Sequence, residues 1–276
     1  MAQRKRYLFH GNASGVAVRI RRPEDLQAPV QGCSSLPTTG GLSESKVGPK
    51  TIGDPKNPYV TFDSATTRAH GDFADLTRAV EITHGRVGHH EVPTVTQVRS
   101  EVTNLAVLGR VKVGRAVLVL ESRSATDGQP PISCHGSVLE GVSVDGYGVV
   151  IDLGIEFFCE CDTHSKLAKA AESGRNRHCF FEAGKAGSYG FDNPAQLVKC
   201  TMVTNIRWEG QPHPNAVIEG NSIRIPELGT VYFAELFITH ASRRGSMVRF
   251  ELGSPVGGDI SAADGESNGE TYPPSP

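Results

Sequence analysis

The residues best equipped for chemistry sit in one stretch, FFCECDTHSKLAKAAESG (157–174), which brings Cys159, Cys161 and His164 close together. With the His178-Cys179 pair downstream, they supply the thiolate and imidazole groups that zinc prefers. Cys159, Cys161, His164, His178 and Cys179 are therefore the candidate metal ligands, and zinc is the cofactor they would hold. Their spacing argues against it, because one residue separates the paired cysteines where common zinc motifs place two. A second chemistry is nucleophilic: Cys161 precedes a predicted helix whose N-terminal dipole would lower a thiol pKa, with His164 or His178 as base. The third reading is core packing, since a free cysteine behaves as a small buried hydrophobe. If the preceding strand continues, Ile151, Leu153, Ile155, Phe157, Cys159 and Cys161 alternate onto one apolar face, which favours this last reading.

Other clusters carry less. In THGRVGHHEVP, His84, His89, His90 and Glu91 stand together, but the histidines are adjacent and Pro93 stops a helix, so the zincin arrangement is missing. His70 and Asp72 in AHGDFAD resemble an acid-base pair, yet Asp72 already serves as a predicted helix cap. GKAGSYG (184–190) lacks the strand and helix that a phosphate-binding loop needs. Ser133, Cys134 and His135 form a lone cluster, and no nucleophile elbow of the GxSxG type is recognised. Arg4, Lys5 and Arg6, with Arg19, Arg21 and Arg22, flank Tyr7 and Phe9 in a mixture that suits single-stranded nucleic acid. Glu24 and Asp25 follow at once, and a charged edge strand is the plainer account.

The elements that must position these groups read as strands. Val198, Cys200, Met202, Ile206 and Trp208 alternate with polar residues, and Leu105, Val107, Val111 and Val113 do so around Arg110 and Lys112. Asp145-Gly146 suits a type I′ hairpin turn. Gly220-Asn221 predicts a second hairpin, Ser242 to Gly245 a third, and Gly11 to Gly15 a fourth between basic strands. Two short helices are expected: one from Asp72 with Phe73, Leu76 and Val80 on one face, and one from Asp162 or Thr163 to Gly174, with Leu167 and Ala171 on one face. The fold expected is mainly β, an antiparallel sandwich or distorted barrel with two short covering helices, the alternative being α+β. Residues 1–254 read as one β-rich domain that contains a long turn-rich loop at 31–57. Residues 255–276 have the composition of a disordered tail.

Composition bounds the function. In 276 residues, 28 basic side chains against 30 acidic ones give a net charge of −2, so no global field draws the chain to nucleic acid. No window reaches the apolar length of a membrane span, no signal-like apolar run follows MAQRKRYLF, and sparse cysteines fit reduced thiols, so a soluble cytoplasmic protein is expected. Whether it forms a homo-oligomer stays open. No catalytic constellation passes both residue type and spacing, which leans the reading to a non-enzymatic binding or structural protein. A hydrolase-like enzyme using the Cys/His cluster, with or without zinc, is the alternative. A nucleic-acid binder working through the N-terminal basic hairpin comes after it.

Overall fold

The computed structural model describes residues 6–73, 93–124, 131–181, 197–239 and 242–272. Its strands in chain order are β1 (Arg6–Arg22), β2 (Leu26–Gln27), β3 (Gln31–Ser35), β4 (Gly41–Val47), β5 (Lys50–Asp54), β6 (Asn57–Phe62), β7 (Ser64–Phe73), β8 (Thr94–Val107), β9 (Val111–Ser124) and β10 (Ile132–Ser133). They continue with β11 (Val138–Val144), β12 (Tyr147–Leu153), β13 (Val198–Thr201), β14 (Val203–Trp208), β15 (Val217–Glu219), β16 (Ser222–Ile225), β17 (Gly229–Ile238), β18 (Arg243–Leu252) and β19 (Gly257–Tyr272). Between β12 and β13 lie two short helices, α1 (Ile155–Glu160) and α2 (His164–Glu172), and a 3-10 turn, Arg177–Cys179. The strands form two antiparallel sheets. Sheet A runs β15-β16-β17-β18-β19-β1-β2, with β13 beside β17 and β3 beside β1; sheet B runs β14-β12-β11-β9-β8-β6-β5, with β7 and β4 off β8 and β10 off β9. The fold is thus the mainly β sandwich that alternation predicts, and not a closed barrel. Among the described residues no helix is long and apolar enough to cross a membrane.

Simple alternation would hold each strand to one inward parity, but the long strands of sheet A change parity partway. In β1 the buried residues run Phe9, Gly11, Ala13 and then Val16, Val18, Ile20. The switch falls at Phe233/Ala234 in β17, Met247/Val248 in β18 and Ala262/Ala263 in β19. Register puts these positions in line, because the flanking pairs Phe233↔Val248, Val248↔Ala262 and Val16↔Ala262 bracket them from one side. Ala234, Ala263 and Gly32 hold positive φ of 50°, 56° and 68° along this line. Sheet B switches in the opposite sense, with consecutive residues turned outward at Thr103/Asn104, Gly114/Arg115 and Glu140/Gly141. An inward pair on one sheet and an outward pair on its neighbour bend both in the same direction, so the layers stay in contact. Close approach then demands small residues. A Cβ on Gly15 would lie 2.5 Å from the Gln31 carbonyl oxygen and 2.6 Å from the Ala65 Cβ.

Several expectations are corrected by this architecture. The hairpin across Gly11 to Gly15 does not form; β1 passes straight through, because those glycines serve the parity change rather than a turn. Residues 31–57 are not a loop but β3, β4, β5 and the start of β6. The segment from Ser254, rich in Gly, Ser and Ala, enters the fold as β19 between β1 and β18. Its small residues suit it to the place where sheets meet: Ala262, Ala263 and Ser267 are fully buried, and Ser267 donates to the Thr96 carbonyl at 3.0 Å. NLAVLGRVKVG is a hairpin, with Val107 facing Val111 across Leu108 to Arg110. QLVKCTMVTNIRW splits at Met202, where the chain leaves sheet A for sheet B. The third hairpin turns three residues earlier than the expected Ser242 to Gly245, Ile238 pairing with Arg243. Asp72 and Phe73 belong to β7, so no helix begins there, and the rest of that predicted helix lies outside the described residues.

Other readings match the structure. Asp145 and Gly146 hold φ of 49° and 85° between Val144 and Tyr147. Glu219 pairs with Ser222 around Gly220-Asn221. Thr163 caps α2, its side chain accepting from the Lys166 amide, and Gly174 follows at φ 71°.

Two outcomes test the frame. A chain ending at Ser254 should lose cooperative thermal unfolding, because removing β19 parts β1 from β18; an unchanged melting curve would refute this placement. Gly15→Ala should destabilise by about 2 kcal/mol or more in urea titration, whereas Gly48→Ala, at an open position, should stay within about 0.5 kcal/mol.

Candidate functional site

At the end of the sandwich that α1 and α2 cover, the strand after Asp145-Gly146 stops at Leu153 and the chain turns helical at Ile155. Cys159 and Cys161 therefore do not share a strand face. Cys159 lies exposed on α1, while Cys161 is the C-cap and is buried. A helix C-terminus disfavours a thiolate, the reverse of the dipole that the nucleophile reading requires. His164 opens α2 and is buried, His178 is exposed on the 3-10 turn, and Cys179 beside it is buried. Among the described residues no three His, Cys, Asp or Glu side chains stand together as a metal would need.

The environment of the thiols favours their neutral form. Burial pushes Cys134 up to about 12, Cys179 to about 11, and Cys161 and Cys200 upward as well. Neutral thiols are poor nucleophiles and poor ligands. Among the described residues the zinc candidates are not brought together as a set of three ligands, and Cys161, Cys179 and Cys200 pack as core. Cys159, being exposed, is the exception to the core reading. Arg243 is buried close to Tyr7 and Cys134, and burial lowers its pKa to about 10.

The opposite end holds a more ordered polar arrangement. Arg110, on the β8–β9 hairpin, donates from Nε and Nη2 to the two oxygens of Asp145 at 2.8 and 2.7 Å. Its Nη1 reaches the Pro226 carbonyl at 3.0 Å. Asp145 Oδ2 lies 3.2 Å from His213 Nε2, and His213 Nδ1 accepts from the amides of Asn215 and Ala216 at 3.1 and 2.8 Å. Because Nδ1 is an acceptor, Nε2 carries the hydrogen and donates to Asp145. Both ring nitrogens are committed, so this His-Asp pair is not a catalytic base. The hydrogen bonds from Arg110 hold the Asp145 carboxyl below its usual range. Trp208 stacks on the His213 ring at 5.9 Å, and Tyr147 meets it edge-on at 4.9 Å.

This chain of contacts braces a concavity of about 610 Å³ lined by Asn215, Val217, Ile225, Pro226, Leu228 and Ser254, among others. One wall, at Pro226, is held by Arg110. The other, at Asn215, is held by His213. Asp145 joins the two, so three separate loops fix the opening.

The sequence reading identifies the Asp145-Gly146 turn but assigns Arg110 to a solvated strand face and passes over His213 and Pro226. The only local hint is a histidine between prolines in QPHPN. It also overlooks GESNG (265–269), which matches GxSxG in letters. That motif lies within β19, with Ser267 buried, so it has none of the strand-to-helix context of a nucleophile elbow. The supposed basic hairpin is absent: Tyr7 and Phe9 face the core, Arg19 pairs with Asp25, and Arg21 pairs with Asp259. Ser133 ends β10, with Cys134 buried and His135 exposed; His70 sits within β7. The His84–Glu91 and 184–190 clusters lie outside the described residues.

A family model described as a domain of unknown function (DUF8256) matches residues 7–185. Neither a curated protein nor a solved structure matches the chain.

An exposed-thiol reagent should separate the cysteines cleanly. Cys33 and Cys159 should react in the folded protein, and Cys134, Cys161, Cys179 and Cys200 only after denaturation. Rapid labelling of Cys161 near neutral pH would revive the nucleophile reading.

Proposed function

The chain belongs to the DUF8256 family, and from its own geometry we propose that it is a non-enzymatic binding module whose site is the braced concavity at the hairpin end. The observation that carries this reading is the Arg110–Asp145–His213 brace. A concave surface whose walls are fixed before a ligand arrives loses less conformational freedom on binding. The volume falls within the few hundred to one thousand Å³ common for small-molecule sites, and the lining mixes aliphatic side chains with a few polar groups. A small amphipathic molecule fits that chemistry. Six free thiols agree with a reducing compartment, which supports a cytoplasmic location.

The hydrolase alternative draws no support from the raised thiol pKa values or from the committed nitrogens of His213. The nucleic-acid reading loses its premise with the basic hairpin.

A library of small amphipathic compounds, screened by ligand-observed NMR, tests the proposal. Hits should shift the amides of Asn215, Val217 and Leu228 and perturb the emission of Trp208, the single tryptophan. Val217→Asp should abolish binding. Arg110→Ala should weaken it about tenfold, or about 1.4 kcal/mol, while the protein still unfolds cooperatively. A screen in which no compound moves those amides would refute the reading.

A further inference from the structure

The antiparallel register of sheet A lines up a polar row on its outer face. Cys33, Ser14, Asp264, Ser246, Glu235 and Thr201 are successive partners across β3, β1, β19, β18, β17 and β13. The row runs beside the parity change, one residue from Gly15, Ala263, Met247 and Ala234. Its two carboxylates are treated differently. Glu235, 4% exposed, accepts from Arg249 Nε at 2.6 Å and Nη2 at 3.0 Å. Asp264 has no such cation among the described residues. Its Oδ2 accepts from the Ser261 hydroxyl, while Oδ1 is sealed from solvent with no hydrogen-bond partner of good geometry. The Ser246 hydroxyl nearby points at the Val248 carbonyl, 3.5 Å away.

We propose that Asp264 is a proton-dependent latch of sheet A: as a carboxylic acid it keeps β1, β19 and β18 closed along the bend, and as a carboxylate it loosens them. A neutral carboxyl fits a buried position with one good donor. A carboxylate there would carry a charge with one oxygen unsolvated, and admitting water is the cheapest relief. The place where water can enter is the bend itself, since the ladder omits Ala263 and Gly15 from its pairs and Ala263 already holds a φ of 56°.

The surrounding charges agree with this assignment. Burial is the leading influence and raises the carboxyl above the ordinary range; Glu235 on β17 adds to the rise, while hydrogen bonding from Ser246 on β18 and Ser261 on β19 and the charge of Arg244 on β18 oppose it. Arg249 on β18 is engaged by Glu235 and Glu251, and Glu266 is the next outward acid on β19. β1 presents Asn12, Ser14 and Ala17 to this strand face, none of them titratable.

The sign follows from linkage. An aspartate in the unfolded chain ionises near about 3.9, and folded Asp264 ionises higher. Its stabilisation is complete below the unfolded value and is lost as pH rises through the folded one. Asp145, whose carboxyl is depressed, behaves in the opposite way.

Amide hydrogen exchange, corrected for its intrinsic pH dependence, reads the latch directly. Local opening at residues 245–248 and 262–266 should increase about tenfold per pH unit between the two values. Asp264→Asn should flatten that dependence, and Asp259→Asn, an exposed acid on the same strand, should preserve it. An unchanged dependence in Asp264→Asn would overturn the proposal. Should that variant fail to fold, infrared spectroscopy of the unaltered protein, followed as pH is raised just above the unfolded value of about 3.9, decides instead. A protonated-carboxyl band there supports the latch, and its absence overturns it.

Discussion

The structure depends on one constraint, that sheet A must exchange its inward face for its outward face halfway along its long strands. β1, β17, β18 and β19 all make the exchange on one line, and none can do so alone. If β19 kept its parity while β18 changed, Asp259 and Ser261 would turn into the core or Val248 and Phe250 out of it. The line therefore acts as a single cooperative feature. It explains why two alanines accept positive φ, at about 1 to 2 kcal/mol each, and why Gly15 has no room for a side chain. It also aligns the outer polar rows, because strands that bend together stay in register.

Where strands are ordinary, the sequence is easy to read. Val111, Val113, Val142, Val144 and Val149 alternate as a half-buried sheet should, and Asp145-Gly146 marks its turn without ambiguity. Where the bend intrudes, local reading fails for a specific reason. Glycine signals both a hairpin turn and a close approach, and nothing within Gly11–Gly15 separates them; only β19, more than 240 residues away in sequence, supplies the difference. The same strand reads as disordered because composition rules equate burial with large aliphatic residues, whereas the crowded face of β19 requires Ala, Gly and Ser.

Local signals were also ambiguous around the cysteines. Ile155, Phe157, Cys159 and Cys161 satisfy a period of two, yet Phe157 and Phe158 are both buried on α1, as a helix allows and a half-wet strand does not. Cys161 belongs to the core although the element that carries it is a helix and not the expected strand, since burial depends on where the chain goes and not on how it is coiled. Cys159, which a period of two alone assigns to the core, is exposed.

The brace is illegible for a different reason: Arg110, Asp145 and His213 come from three loops, their contact Pro226 lies on a fourth, and no short window contains two of them. What the sequence offers is a set of unremarkable turn residues, each suited to its own hairpin. Antiparallel strands deliver their turns to a common end, so Arg110, Asp145 and Pro226 meet as a consequence of strand length, and the 209–216 crossing brings His213 to them. The polar groups at that end then satisfy one another, and of the aliphatic residues beside them Val217 is exposed while Ile225 and Leu228 are buried. At the helix end Cys161 and Cys179 are instead buried, and burial favours their neutral thiols, while Cys159 and His178 stay exposed.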